Sequence, residues 1–216
     1  MPRRLAVLSS ILAASLSAAQ LRVWTFDSDR VGGPPAGFTF EALRQAQSGD
    51  WHVTRVGSRV ALGHAPGADA DGWSLALAPG DAPADARITA RLRLSAGSRA
   101  GGLVWHYRDG RNFSAVVLDL EDGDLALFRV SDGNRIRLED RDGLDLDPDG
   151  WHTITIVQDG ARTRVSIGGI RVLDRVDRRR DDRDSLTGRV GLLAHGRAVV
   201  AFDDLKVEPE PGSHRR

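Results

Sequence analysis

The pairs Asp109-Gly110, Asp122-Gly123, Asp132-Gly133, Asp149-Gly150 and Asp159-Gly160 recur through the middle of the chain at intervals of 10 to 17 residues. An Asp-Gly pair offers the left-handed backbone that a tight hairpin requires. The runs between and around these pairs alternate with period two. Ile88, Ala90, Leu92 and Leu94 share one face against Arg87, Thr89, Arg91 and Arg93. Thr163, Val165 and Ile167 oppose Arg162, Arg164 and Ser166, and Ile136 and Leu138 oppose Arg135 and Arg137. Such alternation marks half-buried antiparallel strands, apolar inward and arginine outward.

Residues 101–107, 112–120, 124–130, 134–139, 151–158 and 161–167 therefore read as a meander. Strands at 23–27, 51–56, 59–63, 73–77 and 85–94 precede it, and strands at 170–174, 189–195 and 199–207 follow. With no crossover helices between them, these strands predict an all-β, antiparallel two-sheet jelly-roll sandwich. Residues 41–47 carry helix-forming side chains for one or two turns. Residues 31–37 read as a Gly-Pro loop, and the dense Arg/Asp run at 175–185 as a solvated one.

The ends read differently. Arg3 and Arg4 precede the uncharged stretch 5–16 and the small residues Ser17-Ala18-Ala19, which is the pattern of a cleaved secretory signal. That stretch is too short to span a bilayer, which takes about 20 residues. The expected organisation is a signal at 1–19, one sandwich domain at 20–208 and a disordered tail at 209–216, secreted or periplasmic, monomeric and without a transmembrane segment. Thirty basic residues balance thirty acidic ones, which excludes a dedicated nucleic-acid binder, since phosphate backbones demand a positive surplus. The absence of cysteine removes disulfides, thiolate metal sites and cysteine nucleophiles. The six histidines show no spacing suited to zinc, and no Gly-x-Ser-x-Gly elbow occurs.

The strand 101–108 carries the first candidate site. By alternation Leu103, Trp105 and Tyr107 face the core, which leaves Val104, His106 and Arg108 on the open face. His106 and Arg108 can hydrogen-bond sugar hydroxyls there, with Asn112 and Ser114 alongside on the next strand. Sugar sites pair such polar groups with an aromatic platform, which Trp73 or Phe113 would supply. His195, out of phase with Val190 and Leu192, approaches the same face. Trp51 and Trp151 read as caps of the sandwich. The outward arginines read as ordinary solvated sheet surface.

Four stretches carry a family resemblance: Trp24-Thr25-Phe26-Asp27 with the Gly-Gly-Pro-Pro that follows; residues 100–107 with Asp109 and Asn112-Phe113; Gly150-Trp151-His152 through 156 with the hairpin to Gly168-Gly169; and residues 188–192 with the closing 202–207. The pattern resembles the concanavalin A-like, laminin G-type jelly rolls. It is closest to the 3-keto-disaccharide hydrolase-like domains and family 16 glycoside hydrolase-related modules of secreted bacterial proteins. The resemblance implies a structural calcium where the first and last strands meet, with Asp27 and Asp203 as its ligands. The Glu-x-Asp-x-Glu catalytic strand of family 16 is missing, so no catalytic residue is carried over. The expected function is a non-catalytic module binding a poly- or oligosaccharide. The alternatives are an enzyme acting on oxidised disaccharides and a structural cell-envelope or adhesion domain.

Overall fold

The computed structural model describes residues 20–43, 49–66, 72–95, 100–177, 187–195 and 197–210. The expected signal at 1–19 lies outside them, as do the tail beyond residue 210 and most of the Arg/Asp run. The turn chemistry acts as its residues require: Asp132 and Gly133 have φ of 51° and 83°, and Gly168 and Gly169 of 57° and 86°. Two successive left-handed residues form the turn that matches strand twist in a two-residue hairpin.

Two antiparallel sheets result. The eight-stranded sheet runs β13 (Ile170–Val176), β12 (Arg162–Ile167), β11 (His152–Asp159), β6 (Ala86–Leu94), β15 (Val200–Pro209), β4 (Arg59–Ala65) and β3 (Asp50–Val56), with β1 (Arg22–Trp24) also paired to β15. The seven-stranded sheet runs β10 (Asn134–Arg141), β9 (Asp124–Ser131), β8 (Asn112–Asp119), β7 (Ala100–Asp109), β14 (Arg189–His195), β5 (Trp73–Leu77) and β2 (Thr39–Leu43). This is the expected jelly-roll sandwich, and no helix occurs among the described residues.

The meander is split where the sequence reading had joined it. Strands β7 to β10 stay in one sheet, and residues 142–151 then cross to the other for β11 to β13. Residues 41–43, read as helical, are the end of edge strand β2, where pairing with β5 overrides local propensity. Glu208 and Pro209 complete β15, and the Glu210 amide donates to the Asp85 carbonyl, so order extends past the expected start of the tail.

The inner faces form one core. Ile88, Leu92, Ile154, Ile156 and Phe202 from the larger sheet meet Leu103, Trp105, Leu118, Leu125 and Leu192 from the smaller. Each fully buried side chain of this size contributes about 1.5–3 kcal/mol. Polar groups tie the layers where apolar contact cannot. The Trp105 indole and the Thr163 hydroxyl both donate to Gln158 Oε1, at 3.1 and 2.8 Å, and Gln158 Nε2 donates to the Gly160 carbonyl at 2.6 Å. The Trp51 indole donates to Ser74 Oγ across the sandwich at 2.8 Å.

His64, 3 % exposed, packs beside Trp51 with ring centroids 4.7 Å apart. Its Nδ1 donates to the Ala198 carbonyl at 2.8 Å, while Nε2 is buried with no partner. Burial therefore holds the imidazole below its ordinary value of 6.5, against the opposing pulls of Ala198 and Asp50. Below that value the unfolded chain binds a proton that the folded one refuses, so stability is complete above pH 6.5 and declines as pH falls. The melting temperature of the wild type should drop between pH 7 and pH 5 more steeply than that of His64→Leu. Parallel curves would assign the acid sensitivity elsewhere.

Candidate functional site

The site that the fold builds is the outer face of the seven-stranded sheet. Residues paired directly across antiparallel strands point to the same side, so the register assigns each side chain. Trp73 pairs with His195 and with Leu43, and all three face outward. Phe113 pairs with Val130, Arg135 with Val130, and Arg137 with Phe128. The floor at the sheet's centre is built of small or aliphatic residues: Ala100, Gly102, Val104, Ala115, Val117 and Leu193.

Trp73 opens β5, the strand next to edge strand β2. Its ring makes edge contacts with Phe128, Phe113 and His195 at centroid distances of 5.5, 6.0 and 6.3 Å. The Arg135 guanidinium lies 4.9 Å above the Trp73 ring and 5.6 Å from that of Phe128, and Arg137 lies 5.5 Å from Phe128. Cations over aromatic faces are held by the ring quadrupole, so these guanidinium donors are oriented before any ligand arrives.

The Trp73–Arg135 stack divides two clefts. One, of about 310 Å³, is lined by Leu43, Trp73, Arg111, Phe113, Val130 and Arg135 among others. The second, of about 340 Å³, is lined by Trp73, Asp119, Asp124, Phe128, Arg137 and His195 together with Arg135. At the far end of the second cleft, carboxylate oxygens of Asp124, Asp140 and Asp142 lie within 4.8 Å of one another. Burial first, and Asp142 and Asp140 beside it, raise the Asp124 carboxyl against the pull of Arg137. Near the first cleft, the Tyr107 hydroxyl donates to Glu41 in a very short hydrogen bond. Burial and that carboxylate push the phenol far above its ordinary range.

Of the residues singled out in the sequence, Trp73, Phe113 and His195 share this face, and the others do not join it. His106 adopts φ of 52° and the β7–β8 register shifts between Trp105 and Asp109. This bulge reverses the alternation after Trp105. Tyr107, expected in the core, therefore faces outward beside Phe113 at 5.6 Å. The His106 ring turns away from the face, with Nε2 2.9 Å from the Ala84 carbonyl. Arg108 is exposed at the rim and lines neither cleft. Asn112 holds two hairpins together, donating to the Asp109 carboxylate at 3.0 Å and accepting from the Asp132 amide at 3.1 Å. Ser114 pairs with Trp105 and so points toward the other sheet.

Neither do Asp27 and Asp203 suit calcium. Asp203 is 4 % exposed, and its two oxygens accept from Arg59 Nη1 and the Asp204 amide, each at 2.8 Å. Asp27 lies exposed in a turn. Calcium takes 6–8 oxygen ligands, and a carboxylate already neutralised by a guanidinium is a poor contributor. The acidic grouping found among the described residues is the separate one at Asp124, Asp140 and Asp142, with Arg137 3.8 and 3.9 Å from two of its members.

The residues missed in the sequence are Phe128, Arg135, Arg137, Arg111 and the aspartates of the second cleft. A signal was present: β9 is apolar on both phases, Leu125 and Leu127 inward and Ala126, Phe128 and Val130 outward. An aromatic on the solvent phase of a strand marks a face built for contact.

No family model and no curated protein matches the chain. Solved structures do. Carbohydrate-binding module CBM66 from Bacillus subtilis aligns with TM-score 0.60 at 16 % identity, over 80 % of this chain and 96 % of that one. A native glycosidic hydrolase aligns with TM-score 0.58 at 11 % identity, over 90 % and 98 %. The exoplasmic/lumenal domain of VIP36, in its Ca2+/Man-bound form, aligns with TM-score 0.53 at 12 % identity, over 81 % and 92 %. At these identities the likeness is one of fold: a concanavalin-like jelly-roll sandwich.

Proposed function

We propose that this protein binds carbohydrate on the outer face of the seven-stranded sheet, with the Trp73–Arg135–Phe128 stack as the anchor. That stack carries the reading. Sugar rings present C–H faces that pack against aromatics and hydroxyls that need directed donors and acceptors. Here apolar rings, guanidinium donors and carboxylate acceptors converge on two adjoining clefts. The kinds of protein that share the fold, a carbohydrate-binding module and a Man-bound lectin among them, support the same reading. It takes the chain as exported, with residues 1–19 removed, and as acting in monomeric form on an oligo- or polysaccharide without transforming it.

A glycan array probed with the full chain, with calcium and with EDTA, tests the proposal. A defined set of glycans should be retained equally in both conditions, because Asp203 is paired with Arg59. Arg135→Met keeps the aliphatic stem and removes the oriented donors, and should lower retention at least about tenfold, equivalent to about 1.4 kcal/mol. An empty array, or a variant that retains the same glycans, would overturn the assignment. Release of monosaccharide from a 3-keto disaccharide by the pure protein would replace binding with catalysis.

A further inference from the structure

The opposite side of the sandwich carries a groove that the sugar-binding reading leaves unused. On the outer face of the eight-stranded sheet, register places Arg93 of β6 opposite Ala201 of β15, Ala201 opposite Gly63 of β4, and Gly63 opposite His52 of β3. These four residues form one row across the sheet, spanning about 14 Å from β6 to β3 at the usual strand spacing. The two middle members have almost no side chain, so the row is a trough with Arg93 on one wall and His52 on the other. Thr54, Ser95, Ala65 and Val199 complete a cleft of about 350 Å³.

Charge in this cleft is arranged unevenly. On the same sheet Arg59, Arg87, Arg91 and Arg164 each have a carboxylate oxygen within 4.0 Å. Among the described residues Arg93 has none, although it is half-buried against the sheet. The acidic group near the opposite wall is Asp50, whose Oδ2 lies 3.2 Å from His52 Nδ1. The trough therefore offers an uncompensated planar guanidinium at one end. At the other it offers hydroxyl and imidazole groups beside a carboxylate, over a low floor formed by the largely buried Gly63 and Ala201.

We propose that this trough is a second, independent binding site for a small polyhydroxylated oxyanion of the hexuronate class. A guanidinium binds carboxylate through two parallel hydrogen bonds, which assigns the anionic group to the Arg93 wall beside the Ser95 hydroxyl. The Asp50–His52 pair repels a second anion and accepts or donates to hydroxyls, with Thr54 beside it. Ala201 keeps the floor low between the two walls, and the Thr54 methyl, which lies over Gly63, gives a ring an apolar edge to pack against. A neutral sugar leaves Arg93 unanswered, and a bare anion leaves the far wall unused, so the site selects for both features in one molecule.

The test is a titration of the 15N-labelled full chain with glucuronate, glucose and acetate at matched ionic strength, read at the backbone amides of Gly63, Ala201 and Ser95. Glucuronate should shift these amides saturably, with an affinity at least tenfold above glucose and acetate. Arg93→Met should abolish the response while melting at the wild-type temperature. Gly63→Ala places a methyl 2.7 Å from Thr54 Cγ2 and should block the trough without touching its charge. An unshifted spectrum, equal responses to glucose, or a response that survives both substitutions would overturn the site. Shifts confined to Trp73 and its neighbours would place glucuronate on the other face and overturn it equally.

Discussion

Gln158→Leu should destabilise the protein by about 2–4 kcal/mol, although it removes no volume and creates no cavity. Gln158 is fully buried, and its carbonyl oxygen receives both the Trp105 indole and the Thr163 hydroxyl. Its amide nitrogen serves the carbonyls of Gly160 and Arg162. Leucine satisfies none of the four, and each buried polar group left without a partner costs about 1–3 kcal/mol before relaxation. For a domain of this size the melting temperature should fall by roughly 5–15 °C. The network makes a sharper claim through Trp105→Phe. That change removes the orphaned indole N–H, so in the double variant the two losses should be clearly less than additive. Additive losses would mean that the indole bond contributes nothing across the sheets.

Gly102→Ala should be worse. A Cβ at residue 102 would lie 1.9 Å from the Val116 carbonyl oxygen, 2.9 Å from its carbon and 3.0 Å from Val117 Cα. All three are backbone atoms of the paired strand, so no side chain can rotate away. Relief requires β7 and β8 to part at the centre of the seven-stranded sheet, where Leu103 and Val116 anchor the core on the reverse side. Overpacking that side chains absorb costs about 1–3 kcal/mol; here we expect at least about 4, and insoluble protein on expression. A soluble variant with the wild-type melting temperature would refute this, and would imply that the close approach of β7 to β8 is not needed.

The strands were legible because polar and apolar residues alternate on them and Asp-Gly pairs end them. Face assignments were legible only while the pleat is regular. His106 and Asp204 both adopt left-handed φ, at 52° and 53°, and each sits at a register shift in its strand. Neither is glycine, and although aspartate and histidine enter that region more readily than most residues, they adopt it too seldom for residue type alone to announce the bulge. One unannounced bulge was enough to exchange Tyr107 with His106 and to take His106 and Arg108 off the expected face; Ser114 was misplaced independently, since it pairs with the inward Trp105. Asp203 was misassigned for a related reason: its partner Arg59 is 144 positions away in sequence. Trp73 and His195 lie on the face their alternation indicated because β5 and β14 pair without irregularity. The arginines of β10 read as solvated surface because no local signal places Trp73, far away in sequence, beneath Arg135.

The position of β15 bears on how such a chain must be made. The last strand is not at an edge: it fills the slot between β6 and β4 and also receives β1, the first strand. A nascent chain stopped before residue 200 has two strands facing an empty lane and its amino-terminal strand without a neighbour. Closing that lane joins segments more than a hundred residues apart, which is entropically slow. The larger sheet can therefore close only once residues 200–209 have been made, which makes its central lane a late step of folding.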